Sequence, residues 1–406
     1  MRFSIANCTV IDGLGSPPRE SVTVTVSGDA IEAIAPALDA PPHDAHPTYD
    51  GRGLTLLPGL IDMHVHMCMD PTTEDRPDDP AEFAAAMTLN AAANLRKALL
   101  AGITTVRDVG GGLGVPMLVK KAWQEGRVFG ARPFVAGSMI TAPGGHGVEM
   151  GFGLEVEGPD EVRRAVRREL SMGADLVKLV TFGVNTPSEL SLDELRAGVE
   201  EAHRSGHRVA CHAHFSRQSI ENTLLAGCDT LEHGSLLDER LVDLMLARGT
   251  YYCPTIAVLE KIAATEEYYG GPQSKFRRVV KENMGRTRAS VRLAHAGGVP
   301  IMVGTDAGTP GMEFDTLHHE LRCLVTLGMS PNDAIRSATG VAADGLGQPN
   351  MGRITRGARA DLLVVEGDPL SGLDVLRSPR AVFMHGRLLV GELPLYNPVQ
   401  EAPDNA

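Results

Sequence analysis

The sequence predicts a (β/α)8 TIM barrel that carries a small β-sandwich domain made from the two ends of the chain. At 406 residues the chain exceeds what one hydrophobic core normally covers, so we expect a barrel-sized domain and a smaller module. Short apolar runs alternate with longer helical patterns through the middle of the chain, which is typical of a parallel sheet with crossover helices. Both ends of the chain instead alternate like antiparallel strands.

Eight short apolar runs mark the strands of the predicted barrel. Eight strand and helix units fill the roughly 250 residues that such a barrel requires. The helical segments from Ala81 to Gly102 and from Ser191 to Gly206 each end at a glycine, a common residue after a helix C-terminus. A doubly wound parallel sheet is the alternative arrangement of the same units. The runs are Leu57 to Met67, Thr104 to Val109, Pro133 to Ile140, Leu176 to Thr181, Arg208 to His214, Thr230 to Gly234, Thr250 to Thr255, and Pro300 to Gly308.

The two ends of the chain are rich in short strands. Residues 3–6 and 22–26 alternate like an antiparallel pair, with glycines and prolines between them. Residues 360–365 and 381–384 repeat this character, and the turn dipeptide His385-Gly386 follows. We therefore expect residues 1–57 and 351–397 to form a composite β-sandwich domain beside a catalytic barrel of residues 58–350. Residues 398–406 are a polar tail.

Composition argues against several classes of protein. The formal net charge of −13 and the lack of a basic stripe argue against a nucleic-acid partner. No apolar run approaches the roughly 18 residues of a membrane helix, and the first residues lack the features of a secretory signal, so we expect a cytoplasmic protein without a membrane partner. The six cysteines include no Cys-x-x-Cys pair, which argues against disulfides and thiolate zinc sites. We also expect a homo-oligomer.

The first apolar run ends in two histidines separated by one residue. His64 and His66 share one face of the predicted strand, because side chains two residues apart point the same way. Two imidazoles on one strand face suit a metal ion. The polar end of a strand has the same pattern when nothing binds there, so the pair alone does not establish a site.

Further polar residues lie at the ends of later predicted strands. Lys178 lies inside the fourth run, where an unpaired ammonium is expected to lose its proton, gain a partner or reach solvent. His212 and His214 share a strand face in the fifth run, and His233 lies near the end of the sixth. Asp306 lies near the end of the eighth, where aspartate before a turn is also common. All of these residues lie at the strand ends where barrel enzymes place their catalytic groups.

These residues stand in segments that resemble the metal-dependent amidohydrolase superfamily, most closely its imidazolonepropionase-like and Xaa-Pro dipeptidase-like (prolidase-like) branch. The resemblance covers nearly the whole chain. Its carriers are PGLIDMHVH at residues 58–66, GITTVRD at 102–108, DLVKLVT at 175–181, LEHG at 231–234, GTD at 304–306, GRI at 352–354 and ADL at 360–362.

The resemblance implies a site for two divalent metal ions, expected to be zinc. Relatives without the lysine, namely imidazolonepropionase and the adenosine and cytosine deaminases, use one metal, so the lysine favours two ions. The implied ligands are His64, His66 and Asp306 for the first ion, His212 and His233 for the second, and a carboxylated Lys178 that bridges both.

The fifth run offers two histidines for one ligand position. The resemblance favours His212, because relatives commonly carry His-Ala followed by tyrosine or histidine. The segment from His212 to His233 is one residue longer than the usual family spacing, which keeps His214 as an alternative. If His212 is the ligand, His214 contacts substrate or is a solvated strand end.

Recognition of a substrate carboxylate requires a cation or a hydrogen-bond donor near the metals. Three residues on the predicted catalytic face are candidates, namely His146, His214 and Arg107. His146 stands between glycines after the third run and could equally belong to a turn. Arg107 could instead pair with Asp108 or with a neighbouring strand.

We therefore expect an enzyme that hydrolyses the amide bond of an Xaa-Pro dipeptide or an N-acyl amino acid by metal-activated hydroxide, with Asp306 as general base and then general acid. The alternative is another carbon–nitrogen bond, in a cyclic amide, urea, carbamate or ochratoxin-like aromatic amide. A deaminase is disfavoured by Lys178, and a catalytically inactive binding protein by the full ligand set. Two long loops, residues 68–80 and 266–272, are candidate lids.

Overall fold

The computed structural model describes residues 1–36, 46–73, 75–181, 189–265 and 275–396. Within these ranges the chain has a mixed α/β fold. The predicted polar tail and the loop at 266–272 lie outside the described residues. Of the described helices, none combines the length and the apolar character that a membrane crossing requires.

The strands are numbered in chain order. They are β1 Arg2–Val10, β2 Arg19–Ser27, β3 Ala30–Pro36, β4 Thr48–Asp50, β5 Leu54–Pro58, β6 Leu60–Val65, β7 Ile103–Asp108, β8 Arg132–Val135, β9 Met139–Thr141, β10 Gly153–Glu155, β11 Leu176–Val180, β12 Arg208–Ala213, β13 Thr230–His233, β14 Tyr251–Cys253, β15 Leu362–Glu366, β16 Ala381–Met384 and β17 Arg387–Gly391.

The helices follow the same numbering. They are α1 Pro80–Leu100, α2 Val115–Gln124, α3 Pro159–Ser171, α4 Leu192–Arg204, α5 Arg217–Ala226, α6 Glu239–Arg248, α7 Ile256–Ala264, α8 Lys275–Ala296, α9 Leu317–Thr326, α10 Pro331–Ser337 and α11 Gly340–Gly345, with a 3-10 turn at Leu373–Arg377.

One mixed sheet combines strands from both ends of the chain. Its order is β17-β16-β15-β5-β1-β2-β3, with β4 paired to β1. The antiparallel pairing of β5 with β15 joins the two ends, because Leu57 lies opposite Leu363. Apolar side chains of these strands form a hydrophobic core cluster. Within it, the rings of Phe3 and Phe383 stack with centroids 4.9 Å apart. The predicted antiparallel strand pair near the N-terminus is present as β1 and β2.

Parallel strands from the middle of the chain form two further sheets. One has the order β6-β7-β8, and the other has the order β10-β9-β11-β12-β13-β14. The third predicted run is divided between these sheets as β8 and β9, because Gly137 between them has a φ of +76°. The first predicted run is also divided, at Gly59, where a Cβ atom would lie 2.3 Å from the Thr104 side chain.

The eighth predicted strand, Pro300 to Gly308, is not continuous. Single parallel bridges join Ile301 to Tyr252 and Ala307 to Val65, so the segment contacts both β14 and β6. Between these bridges, the Met63 N–H donates to the Val303 carbonyl over 2.9 Å. Extended backbone ends before the second bridge, because Asp306 has a φ of +60°.

Helices separate the parallel strands as the sequence predicts. The segment from Ala81 to Gly102 forms α1, whose first turn is capped by Asp79 through the N–H groups of Ala81 and Glu82. The second predicted segment forms α4, which begins with a capping box between Ser191 and Glu194. This alternation brings the carboxyl ends of the parallel strands to one side of the molecule.

Candidate metal centre and its cavity

Two histidines at the end of β6 converge on one aspartate. The rings of His64 and His66 lie with centroids 5.5 Å apart. Asp306 Oδ1 lies 3.3 Å from His66 Nε2 and 3.6 Å from His64 Nε2. The backbone fixes this approach, because the Asp306 N–H donates to the His64 carbonyl over 2.7 Å. The left-handed conformation of Asp306 costs free energy, and such strain is common where a side chain must be aimed at a functional site.

Three of the histidine rings are each held in orientation by a hydrogen bond at Nδ1. Carbonyl and carboxylate oxygens only accept hydrogen bonds, so His64 and His66 each carry a proton on Nδ1, and Nε2 faces Asp306. Histidines that bind metals are typically held in this way. The Nδ1 partners are Glu232 Oε2 for His64 at 2.7 Å, the Gly110 carbonyl for His66 at 3.0 Å and Thr255 Oγ1 for His233 at 2.7 Å.

His233 completes a compact group of ligand atoms. Its ring centroid lies 4.9 Å from that of His64. One ligand atom from each of His64, His233 and Asp306 lies within 4.8 Å of the others. His233 also has a left-handed backbone, with φ of +69°, and the Tyr252 hydroxyl donates to its carbonyl over 2.9 Å. A normal strand conformation would direct this side chain to the opposite face of β13.

The two histidines of the fifth predicted strand both line the same cavity. His212 lies in β12, and its ring centroid is 4.3 Å from that of His233. His214 follows the strand, with a centroid 5.1 Å from His233, and its Nδ1 shares a hydrogen bond with Ser235 Oγ over 2.8 Å. Each ring is therefore near the other histidines, and His212 lies nearer to His233.

Lys178 is buried in the strand next to these histidines. It lies opposite Ala210 in the pairing of β11 with β12, so its side chain shares a face with His212. The residue is 1% exposed, and within the described part of the chain Nζ has no hydrogen-bond partner. Burial lowers the pKa of the Lys178 ammonium, although Glu232 and Asp306 oppose this effect. The amine is thus placed to react or to bind a further group.

Electrostatics favour neutral imidazoles around an ionised carboxylate. Burial, with the positive charge of Lys178, lowers the pKa of His64 to about 4. Burial raises the pKa of Asp306, but His64, His66 and His233 outweigh it, so the pKa lies well below its usual range. Neutral imidazole nitrogens and carboxylate oxygens are the donor set that suits zinc and similar divalent ions. Together with the buried amine of Lys178, these residues fit a metal centre.

Arg107 does not line the cavity, so the sequence-based assignment of this residue to substrate binding is wrong. The guanidinium is 2% exposed and lies among the parallel strands, where its Nε donates to the Met63 carbonyl. Its Nη1 donates to Thr230 Oγ1 over 3.0 Å, and its Nη2 donates to Glu232 Oε1 over 2.7 Å. Met63 belongs to the adjacent strand β6, whereas Thr230 and Glu232 belong to β13, which is not paired with β7.

His146 lies at the cavity, in the glycine-rich turn between β9 and β10. Its ring centroid is 5.0 Å from that of His212, and its Nδ1 is 2.9 Å from Glu149 Oε1. The turn depends on Gly144 and Gly147, which have φ values of +69° and +101°. The residue therefore belongs to a turn and also faces the candidate site.

Several buried carboxylates that organise the site are not predicted from the sequence. Glu232 contacts both His64 and Arg107. Asp62 accepts a hydrogen bond from the Thr305 hydroxyl over 2.6 Å, and burial raises the pKa of Asp62 to about 7. The sequence does contain one signal for such a residue, because Glu232 is a charged residue inside the short strand β13.

Glu320 is a further buried carboxylate, and it supports Thr255, the residue that bonds His233. The Glu320 side chain accepts hydrogen bonds from the N–H groups of Ile256 and Ala257, over 2.9 Å and 2.6 Å. These two residues begin α7 and directly follow Thr255, which binds His233 Nδ1. Burial raises the pKa of Glu320 to about 8.

The histidines open onto a cavity of about 730 Å³. Its inner end is lined by Lys178 and Asp306 with His66, His212 and His233, and the His64 ring lies 4.9 Å from that of His233. Its outer part is lined by residues of the candidate lid at 68–80 and by side chains of α1, α7 and α8. Pockets of roughly 300–1,000 Å³ are usual for small organic ligands, so the cavity admits a small-molecule substrate.

Comparison with known proteins places this arrangement in a family. Residues 55–389 match the amidohydrolase family model. The ochratoxinase of Aspergillus niger is 29% identical over 92% of this chain and 83% of its own length. A Xaa-Pro dipeptidase structure with methionine bound in the active site has a TM-score of 0.88 and 30% identity, over 96% of this chain and 100% of the other. A prolidase bound to N-methylphosphonate-L-proline has a TM-score of 0.86 and 27% identity, over 97% and 100%.

Proposed function

Since the chain belongs to the amidohydrolase family and is a hydrolase of carbon–nitrogen bonds, we propose that it cleaves an amide bond next to a substrate carboxylate. Xaa-Pro dipeptides and N-acyl amino acids are the proposed substrates. The observation that carries the proposal is the convergence of four histidines, a lysine and an aspartate at one end of a large cavity. The similarity to a Xaa-Pro dipeptidase supports the choice of substrate class.

We also propose how the described strands are assembled. The segment from Pro300 to Gly308 contacts both β14 and β6, which supports closure of the parallel strands into a (β/α)8 barrel of residues 58–350. The mixed sheet that joins the two ends supports a composite domain of residues 1–57 and 351–397, proposed to be a β-sandwich.

The proposed metal centre holds two divalent ions, for which zinc suits the donor set. When bound, such ions polarise a carbonyl oxygen and lower the pKa of a bound water. Outer hydrogen bonds at Nδ1 of His64, His66 and His233 support their role as ligands. The ligands would be His64, His66 and Asp306 for one ion, His212 and His233 for the other, and a carboxylated Lys178 between them.

Asp306 is the proposed proton carrier. Its carboxylate reaches the cavity, and its pKa is held well below the usual range by the surrounding histidines. An ionised carboxylate accepts the proton of the attacking water and then returns it to the leaving nitrogen. The strained backbone of Asp306 holds the carboxylate where both transfers are possible.

His146 and His214 are the proposed groups for the substrate carboxylate. Both line the cavity, and their rings lie beside the metal-binding histidines. An imidazole N–H can donate to a carboxylate, which would orient the scissile bond toward the inner end. Arg107 has no part in this recognition because its guanidinium is bonded to residues of β6 and β13.

A second candidate function is hydrolysis of another carbon–nitrogen bond, such as that of a cyclic amide, urea, carbamate or aromatic amide. The size of the cavity and the 29% identity to an ochratoxinase favour the aromatic amides among these. Both functions use the same metal centre and the same proton carrier. They differ in whether a free carboxylate on the substrate is required.

A purified-protein screen across dipeptides and N-acyl amino acids, each compared with its methyl ester, tests the proposal. We expect the ester to lower kcat/KM by more than about tenfold, roughly 1.4 kcal/mol of lost recognition. Equal rates for acid and ester, or activity confined to cyclic ureas and imides, would favour the second candidate.

A further inference from the structure

Apolar side chains form one wall of the outer part of the cavity. Side chains from the candidate lid, from α1 and from the turn before β10 form this wall. Met87 and Phe152 are almost fully buried, while Met69, Phe83 and Met150 are half-buried and pack against the hydrophobic core. We call these five residues the apolar wall.

An aromatic stack organises the apolar wall. The rings of Phe83 and Phe152 are nearly parallel, with centroids 6.2 Å apart and an interplanar angle of 9°. The Arg76 guanidinium lies over the Phe83 ring, 5.4 Å from its centroid, and both residues line the cavity. The chain therefore holds an arginine and two phenylalanines together at the wall of the cavity.

Gly151 allows this stack to form. A Cβ atom at this position would lie 2.4 Å from Arg76 Nη1 and 2.9 Å from Phe83 Cε1. Gly151 also has a φ of +75°, so a larger residue would be strained as well as crowded. The turn before β10 and the start of α1 are thus fitted closely to one another at the cavity.

The apolar wall is chemically suited to aromatic ligands. Phenylalanine rings pack favourably against a further ring in edge-to-face or offset arrangements. Methionine thioethers contact aromatic rings favourably and adapt to their shape. The metal-binding histidines occupy the inner end of the same cavity, so one substrate can contact both regions.

We propose that the apolar wall is an acyl-binding subsite, which selects amides whose acyl group is a large aromatic ring system over those with a small aliphatic acyl group. This inference rests on the proposed function, because the acyl carbonyl must lie at the metal centre. The selecting residues are Phe83 and Phe152 with the methionines beside them, and Arg76 holds Phe83 in place.

Two substrates with one leaving group test the subsite, namely N-(2-naphthoyl)-L-phenylalanine and N-acetyl-L-phenylalanine. Wild-type enzyme is expected to prefer the naphthoyl substrate by at least about tenfold in kcat/KM. Phe83→Ala should remove most of that preference, because kcat/KM should fall much more for the naphthoyl substrate than for the acetyl substrate. Gly151→Ala should act in the same direction, because its Cβ displaces Arg76 and Phe83.

Leu89→Ala is the matched control, because Leu89 lies on the same helix but is 72% exposed. It should keep the wild-type preference. Phe83→Leu, which keeps an apolar side chain of similar size in α1, should lose the aromatic preference with little change in thermal stability. An unchanged naphthoyl preference in both Phe83 variants, or a wild-type preference for the acetyl substrate, would overturn the proposal.

Binding of 2-naphthamide, followed by its own fluorescence, separates this subsite from the proposed function. Binding that weakens at least about fivefold in Phe83→Ala but not in Leu89→Ala would support the subsite even if neither N-acyl amino acid were hydrolysed. Equal binding to both variants and to wild type would overturn the subsite, and the outcome of the ester comparison would be unaffected.

Discussion

The Nδ1 atom of His64 donates to Glu232 Oε2 over 2.7 Å, and both side chains are almost completely buried. The second oxygen of Glu232 accepts from Arg107, so the carboxylate is held on both sides. Burial of Glu232 opposes its ionisation, but Arg107 and His64 outweigh burial and keep its pKa well below the usual range. The charge on Glu232 therefore fixes the orientation of a proposed metal ligand.

Glu232→Gln should weaken metal binding at the site. The amide keeps the shape of the side chain but removes the charge that orients His64, and loss of such a partner typically lowers metal affinity about 10–100-fold. Competition with a chromogenic chelator measures the change. Glu125→Gln, at an exposed carboxylate paired with Arg127, is the control. Wild-type metal affinity in Glu232→Gln would show that the bond to His64 does not support a ligand.

Lys178→Ala should lose both metal and activity while the fold remains. Because Nζ has no hydrogen-bond partner among the described residues, its removal breaks no such bond within them. Added short carboxylic acids should partly restore turnover, since they can replace the proposed bridging carbamate. Circular dichroism and metal analysis provide the readouts. An active Lys178→Ala enzyme with its full metal content would make this lysine purely structural.

Asp306→Asn should separate proton transfer from metal binding. The amide keeps one oxygen near His66 but cannot carry the proton, so we expect turnover to fall by several orders of magnitude while appreciable metal remains. Steady-state kinetics and metal analysis on the same sample test this expectation. Turnover near that of wild type would remove Asp306 from the proposed mechanism.

Glu320 should make stability depend on pH. Burial raises its pKa in the folded state from 4.5 to about 8, so the folded protein holds this proton more tightly than the unfolded chain. The contribution to stability is fully present below pH 4.5 and decreases by about 1.4 kcal/mol per pH unit as the pH rises toward 8. Glu320→Gln should flatten this part of the profile, measured by urea unfolding. If the free energy of unfolding varied with pH in the same way in both proteins, the raised pKa of Glu320 would be contradicted.

The order of strands and helices could be predicted from the sequence because apolar runs and helical periods alternate clearly. The interruption of the eighth strand could not, since it depends on the left-handed conformation of Asp306, which local pattern does not reveal. The polar positions of the candidate centre were identifiable because they recur at strand ends. Arg107 was misplaced because its position at a strand end does not reveal its partners, Thr230 and Glu232, which come from a distant part of the chain.

The residues that hold the proposed ligands in place could not be predicted from the sequence either. Glu232, Thr255 and Glu320 act through contacts between residues that are far apart along the chain. A short motif predicts a ligand because two side chains lie on one strand, whereas the groups that hold the proposed ligands come from other strands and helices. Only the folded structure brings them together.

Metal stoichiometry tests the central claim most directly, because two ions per chain require that all six proposed ligands act together. Protein loaded with excess zinc, desalted and analysed by mass spectrometry should contain close to two ions per chain. Lys178→Ala treated in the same way should contain clearly less. One ion per chain in fully loaded wild-type protein would contradict the two-metal centre.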